Sequence, residues 1–412
     1  MTTSSKPESQ QEKKGKLQSK FLSTLPPRDQ AHVLGLTAAL AKPLGKWVEE
    51  CKQDGEPLMR AIRIPQICLT IAAAAAPTPP TPPTRTAAPT LNGQAAPTLE
   101  KAAASVEAEK AELAIAAAAA STYANDVPYL LPCVKLATWI FAVDDLTDAG
   151  VVSNDETWRR ITDCLDVFSK DKDALQETDA LRKGLADIRE KLKDLRHFST
   201  LKSDLVKSMQ MLLDAMRREQ EWSTRYLNRT DHPLPEYSEY LENGLWSIGV
   251  VPILFGSLMG MELVDVSARK SSERQRPTLP RLEDLKRTDV KVPRPNDVPA
   301  PALTELEIEA ATCVRLANDL RSYEKEVKEG KLNALTILQH RFKGEGLTQE
   351  AALERARTEV EKEIKARLGR MKNELLSPEP TRSEVFRLWL AHFACDFYVH
   401  HDYDHSVAQG NG

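Results

Sequence analysis

The sequence predicts an all-α fold, one large helical domain, on three observations. Apolar residues recur at the 3.6-residue period of a helix, and no segment shows a convincing two-residue alternation. Glycine is scarce, at 17 of 412 residues. Half of the 26 prolines fall in two windows, seven between Pro77 and Pro97 and six between Pro277 and Pro301, which leaves the chain outside them free to run in long helices.

From the start, Met1 to Lys20 is polar and rich in Lys, Gln and Ser, without the apolar stretch of a secretory leader. A polar tail over 1–25 is expected. The Pro/Thr/Ala run from Pro77 cannot bury enough apolar surface to offset chain ordering, so a disordered and dispensable insertion is expected over about 77–98. Ser105 to Thr122, Ala-rich with Glu and Lys at exposed spacing, predicts a helix. Cys133 to Thr147 is almost wholly apolar until it ends in carboxylates, which predicts a helix buried on most sides. In Lys202 to Arg218, Leu205, Met209, Leu212, Leu213 and Met216 form one stripe. A second charged, Pro-rich insertion is expected over 267–302. Thr304-Glu305-Leu306-Glu307 is a capping box that opens a helix to about Gly330. Helices over Glu350 to Leu376 and Ser383 to Val399 follow, parted by Ser377-Pro378-Glu379-Pro380. The texture is the same on both sides of each insertion. That predicts one domain over 26–405 with a tail at 406–412, and no repeat of solenoid period.

Composition bounds the function. A net charge of −4 and a pI near 6.1 give no basis for nucleic-acid binding. No apolar run approaches the ~18 residues of a membrane span. The six cysteines contain no CxxC pair and read as buried free thiols of a reducing compartment, so the expected location is cytoplasmic.

Two acidic signatures carry the chemistry. In Phe141-Ala142-Val143-Asp144-Asp145-Leu146-Thr147-Asp148, a helix brings Asp144 and Asp148 to one face, one turn apart, with Asp145 beside Asp148. Carboxylates so placed repel each other, and a hard divalent cation such as Mg2+ relieves that repulsion through oxygen ligands. The signature ends the most apolar helix in the chain, whereas a solvated turn has no need of Trp139, Ile140 and Phe141 beneath it. In Asn318-Asp319-Leu320-Arg321-Ser322-Tyr323-Glu324-Lys325-Glu326, the oxygens of Asn318, Ser322 and Glu326 form one row along a helix face, a second Mg2+ site with fewer charges.

Together the two signatures resemble class I terpene synthases (terpene cyclases) of the microbial, single-domain type. Asp144-Asp145-Leu146-Thr147-Asp148 matches that family's DDxxD motif, and Asn318 to Glu326 matches its NDxxSxxxE motif at every defined position. The 174 residues between Asp144 and Asn318 are long for the family but ordinary once the second insertion is removed. Tyr240-Leu241-Glu242-Asn243-Gly244-Leu245-Trp246-Ser247-Ile248-Gly249 resembles the family's broken helix, and Asp396-Phe397-Tyr398 to Asp402-Tyr403 its C-terminal lid.

The resemblance implies an antiparallel helical bundle round an apolar pocket, with metal motifs on opposite rims. It implies three Mg2+ ions on the substrate's diphosphate, two held by the Asp motif and one by Asn318, Ser322 and Glu326, with Mn2+ able to substitute. Lys325 and Arg321 would donate hydrogen bonds to the departing oxyanion, and Tyr403 would act in lid closure. Phe141, Trp246, Gly249, Trp389 and Phe393 would line the pocket, where aromatic faces meet a carbocation. Trp139 and Phe397 are further aromatic candidates. The substrate implied is a linear prenyl diphosphate, C20 geranylgeranyl before C15 farnesyl because Ala137, Ala142 and Gly249 suggest a roomy cavity. A homodimer is among the expected partners.

Two features depart from the family. No Arg lies between Glu242 and Trp246, which leaves the diphosphate-sensing arginine open among Arg217, Arg218 and Arg225. Asp402-Tyr403 stands where many members carry Arg-Tyr. A chain-elongating prenyl diphosphate synthase is the rival enzyme, but it would repeat DDxxD where this chain has Asn318-Asp319 and Ser322. A non-catalytic helical scaffold would have solvated acidic rows and no apolar cavity between them.

Overall fold

The buried residues of the N-terminal helix show how the fold is built. Val33, Leu36, Leu40, Leu44, Trp47 and Val48 recur at three- and four-residue steps, which gathers them into one inward stripe of α1, Pro27–Glu50. This computed structural model describes residues 27–53, 56–57, 64–75, 126–148, 155–168, 179–227, 233–261, 300–301, 303–374 and 382–400. After α1 come a two-residue antiparallel ladder, β1 (Lys52–Gln53) and β2 (Glu56–Pro57), and then α2, Ile64–Ala74, apolar except for Gln66 and Thr70. The chain continues through α3 (Val127–Asp148), α4 (Asp155–Asp163), a 3-10 turn (Cys164–Phe168), α5 (Ala180–Lys193) and α6 (Phe198–Leu227). Next are α7 (Tyr237–Ser247), α8 (Val250–Leu258), α9 (Glu305–Glu329), α10 (Ala334–Gly344), α11 (Gln349–Glu374) and α12 (Arg382–His400). The fold is all-α, and the one small ladder is the sole strand pairing among the described residues.

α3 is the central helix of one half. It packs against α1, α2, α5 and α8, and its buried residues run round the whole helix. Lys135, 6% exposed, is held by an ion pair to Asp187 at 2.6 Å and lies over the Trp47 ring. The helix starts at Val127, six residues before Cys133. The early start is compatible with proline chemistry, because Pro128 sits in the first turn, where no intrahelical donor is needed, and Pro132 forfeits only one bond. α3 has the length and composition of a membrane span but packs as a core helix. Val127–Thr147, and the bent pair α7–α8 taken together, are long and apolar enough to cross a bilayer, and 67% of the apolar window of α3 is buried inside the fold.

α9 is the central helix of the other half, packed against α7, α8, α10, α11 and α12. Its capping box forms as expected: Glu307 N donates to Thr304 Oγ1 at 3.3 Å and Thr304 N donates to Glu307 Oε2 at 2.8 Å. Gly330, at φ 70°, ends the helix in the left-handed conformation that favours glycine. Glu307 also accepts from Arg387 of α12, and Glu309 accepts from Arg367 of α11, so buried ion pairs tie the central helix to both neighbours.

The broken helix is present. α7 and α8 meet at 42° across Ile248–Gly249. Gly249 has φ 75°, and a Cβ there would sit 2.9 Å from Ile140 Cγ2 on α3, so both the backbone and the close approach require glycine.

Several expectations fall on other parts of the chain. The tails over 1–25 and 406–412, the insertion over 77–98 and the helix over Ser105 to Thr122 lie outside the described residues, as does nearly all of 267–302. Within the last, Pro301 is buried, so packed chain resumes before its expected end.

Candidate active site

The end of α3 and the middle of α9 face each other across one cavity of about 340 Å³. From α3, Asp144 and Thr147 line it, above Phe141, Ile140 and Ala137. From α9, Asn318, Ser322, Lys325 and Glu326 line it, with Arg315 one turn earlier. α6 contributes Met216, Glu219 and Gln220, the α7–α8 break contributes Ser247 and Ile248, and α12 contributes Tyr398. The two signatures, 174 residues apart in sequence, therefore border one space.

The row on α9 is well supported. Ser322 Oγ donates to the Asn318 carbonyl at 2.8 Å, and Glu326 Oε2 accepts from Asn333 Nδ2 at 2.7 Å. Burial pushes the Glu326 carboxyl above its ordinary range, against the opposing pull of Arg315, Asn333 and Ser322. The adjacent Asp319 turns the other way. It is fully buried, accepts from Tyr240 OH at 3.0 Å and from Ala334 N at 3.2 Å, and lies 3.0 Å from Arg315 Nε. Burial raises its carboxyl to about 7, with the charges of Glu326 and Glu219 in the same sense and Arg315 against. The second Asp of the motif is thus a structural anchor on the inner face, and the row of Asn318, Ser322 and Glu326 faces the cavity.

Arg315 is the residue that sequence reasoning missed. Its guanidinium pairs with Glu219 at 3.2 Å and with Asp319, donates to Tyr240 OH and reaches Ser247 Oγ at 3.4 Å. Gly244 makes room for it, since a Cβ there would meet Arg315 Cγ at 2.9 Å. Among the described residues it is the one arginine lining the cavity. Arg217 instead pairs with Asp155 and Glu221 at the surface, Arg225 is exposed, and Arg218 is half-buried away from the lining. A signal was available: Arg315 precedes Asn318 by three positions, the spacing that shares a helix face.

The remaining expected residues divide. Phe141 and Lys325 line the cavity, and Lys325 also pairs with Glu329 at 3.8 Å. Asp145 is half-buried and Arg321 exposed, and neither is in the lining. Asp148 ends α3 and is described in its backbone alone; Tyr403 lies outside the described residues. Four residues expected at the pocket are not among those bordering this cavity. Trp389 and Phe393 are buried in the core on α12, Trp246 packs half-buried against the core from α7, and Gly249 contacts Ile140 without reaching the space. Helical spacing alone does not tell which side of a buried helix meets a cavity. Trp139 is likewise a packing residue, its Nε1 donating to the Leu181 carbonyl at 2.9 Å.

Among the described residues, no three His, Cys, Asp or Glu side chains gather closely enough to hold a metal. The α9 row is of another kind, an amide, a hydroxyl and one carboxylate, all hard oxygen donors on one face and all bordering the cavity that Asp144 borders from opposite. That donor set fits Mg2+ and does not fit a soft-metal site.

An all-helical bundle with oxygen-donor rows on two rims of one cavity defines a class I terpene synthase fold. Residues 135–366, more than half of the chain, match the family described as "Terpene synthase family 2, C-terminal metal binding", and the chain belongs to that family. Among curated proteins it is similar to dolabradiene synthase of Zea mays, 26% identical over 273 residues, 62% of this chain and 27% of that protein. It is also similar to ent-kaur-16-ene synthase of Cucurbita maxima, 30% identical over 159 residues, 38% of this chain and 16% of that protein. The matches thus span about a quarter or less of these relatives' length, and both relatives are plant proteins, which the microbial type expected from the motifs did not anticipate. Among solved structures, abietadiene synthase from Abies grandis shares the fold at TM-score 0.55 and 14% identity, covering 90% of this chain and 38% of that one. So does 2-methylisoborneol synthase from Streptomyces coelicolor A3(2), solved with Mg2+ and geranyl-S-thiolodiphosphate, at TM-score 0.53 and 14% identity, covering 91% and 94%.

Proposed function

We propose that the chain is a class I terpene cyclase that ionises a linear prenyl diphosphate and cyclises the resulting carbocation, releasing diphosphate. One observation carries this reading: Asp144 of α3 and the Asn318, Ser322 and Glu326 row of α9 border the same partly apolar cavity from two sides. A scaffold with solvated acidic rows predicts no such space. A C20 precursor is favoured over C15, supported by the kaurene and dolabradiene synthases among the relatives and by the small Ala137 in the lining.

Asp144 and Asp148 on one rim would hold two Mg2+ ions, and Asn318, Ser322 and Glu326 on the other would hold a third. When bound by these residues, Mg2+ would supply positive charge to offset the negative charge that develops on the departing diphosphate. Arg315 and Lys325 add fixed positive charge to the rim and donate hydrogen bonds to diphosphate oxygens. Below the rims, Ile140, Met216, Ile248 and Ile253 exclude the water that would quench a cation. The Phe141 ring offers its negative face to the cation. Asp144→Ala and Asn318→Ala test the reading through diphosphate release at limiting Mg2+. Each variant is expected to lose at least ~100-fold in kcat; wild-type kcat in either would remove that motif from the metal site.

A further inference from the structure

We propose that Asn333 is the positioning residue of the second rim, fixing the Glu326 carboxylate from behind and thereby setting the affinity of that rim for its cation. The inference rests on the metal role given above to Asn318, Ser322 and Glu326. Asn333 is fully buried and uses each of its polar atoms. Its Nδ2 donates to Glu326 Oε2 at 2.7 Å and to the Asp319 main-chain carbonyl at 2.9 Å. Its Oδ1 accepts from Leu335 N at 2.8 Å as the N-cap of α10. One amide therefore joins a rim carboxylate, the backbone of α9 and the start of the next helix, and Asp319 Oδ2 doubles the joint by accepting from Ala334 N.

The arrangement is more than a cap. A capping asparagine needs only its oxygen, and serine or aspartate caps as well. What asparagine adds is the NH2 group, and here one of its bonds is spent on a carboxylate that lines the cavity. Donation from the Asn333 Nδ2 holds the Glu326 carboxylate in one rotamer. Removing such a partner from a metal ligand typically costs ~10–100-fold in metal affinity.

The test uses the full chain, Mg2+ and inorganic diphosphate, with thermal midpoint as the readout. At fixed diphosphate, the Mg2+ concentration that gives half of the maximal stabilisation is measured for the wild type, Asn333→Asp and Asn333→Ser. Both variants keep a capping oxygen. Asn333→Asp loses the donor and sets a like charge beside Glu326, so its Mg2+ midpoint is expected to rise at least ~10-fold. Asn333→Ser loses the donor alone, with an expected rise of at least ~3-fold. Thr304→Ala is the control for simple loss of stability. It breaks the capping box at the far end of α9 and should lower the thermal midpoint with no change in the Mg2+ requirement. Midpoints within about twofold of wild type in the folded variants would overturn the proposal. If Asn333→Asp does not fold, Asn333→Ser decides by the same criterion. A wild type that shows no Mg2+-dependent stabilisation by diphosphate would instead sink the functional reading on which the proposal rests.

Discussion

Arg315 sits between two carboxylates, Glu219 and Asp319, and beneath the Tyr240 hydroxyl, with its own side chain 8% exposed. Truncating one partner of a buried charge group leaves the others uncompensated, at a typical cost of ~3–5 kcal/mol. Arg315→Met should therefore lower unfolding free energy by about that amount in a denaturant titration, and an effect below ~1 kcal/mol would show that the group is solvated. Glu326 adds a pH dependence. Its carboxyl is raised by burial, so protons compete with Mg2+ for it, and the Mg2+ midpoint should climb as pH is lowered. A flat profile would place the cation elsewhere. Aromatic roles also separate at this scale. Phe141→Leu should alter the hydrocarbon profile, because Phe141 borders the cavity, whereas Trp246→Leu should cost stability and leave the profile unchanged. Of these residues, the two rows of oxygen-bearing side chains and Phe141 were legible in the sequence, because fixed offsets on a helix are geometry that a sequence carries. Glu219 and Asn333 were not, because their partners lie on other helices, and for Arg315 the sequence offered only its three-residue offset from Asn318.

At the scale of elements, the α7–α8 break is what brings Ser247 and Ile248 to the cavity, and it depends on Gly249. Alanine there meets two obstacles, a left-handed backbone and Ile140 Cγ2 at 2.9 Å. Gly249→Ala should cost ~1–3 kcal/mol, read as a lowered thermal midpoint. Because Ile140 itself lines the space, the variant should also shift product ratios. An unchanged midpoint together with an unchanged profile would mean that the break tolerates a side chain and does not shape the pocket. The helices with strong local signals were legible: the stripe in α6, the capping box of α9, and α11 and α12 on either side of a Pro-rich stop. α3 was legible in its apolar second half but not in its start, because Pro132 reads as a breaker and tertiary packing overrides that preference. α4, α5 and α10 were not singled out. Their apolar faces are short, and what orders them is contact with α3, α6, α9 and α11.

At the scale of the whole molecule, α3 and α9 are each surrounded by helices, with α8 packed against both, and one cavity lies between Asp144 on α3 and the oxygen-donor row on α9. The all-α class was legible in the helical periodicity, and the pairing of the rims was legible through the resemblance of the two motifs to a known family. The shape of the cavity was not, since it is set by residues such as Ile140, Met216 and Ile253 that come together only in the folded chain. The central claim is that the two rims act as one metal–diphosphate site over a carbocation cavity. The most direct measurement incubates the protein with geranylgeranyl diphosphate and Mg2+ and follows inorganic diphosphate and extractable hydrocarbons together, with farnesyl and geranyl diphosphates alongside. The expected result is a cyclic C20 hydrocarbon formed in step with diphosphate, abolished by a chelator and restored by added Mg2+. No diphosphate release from any of the three substrates at saturating Mg2+, or release undiminished by the chelator, would contradict it.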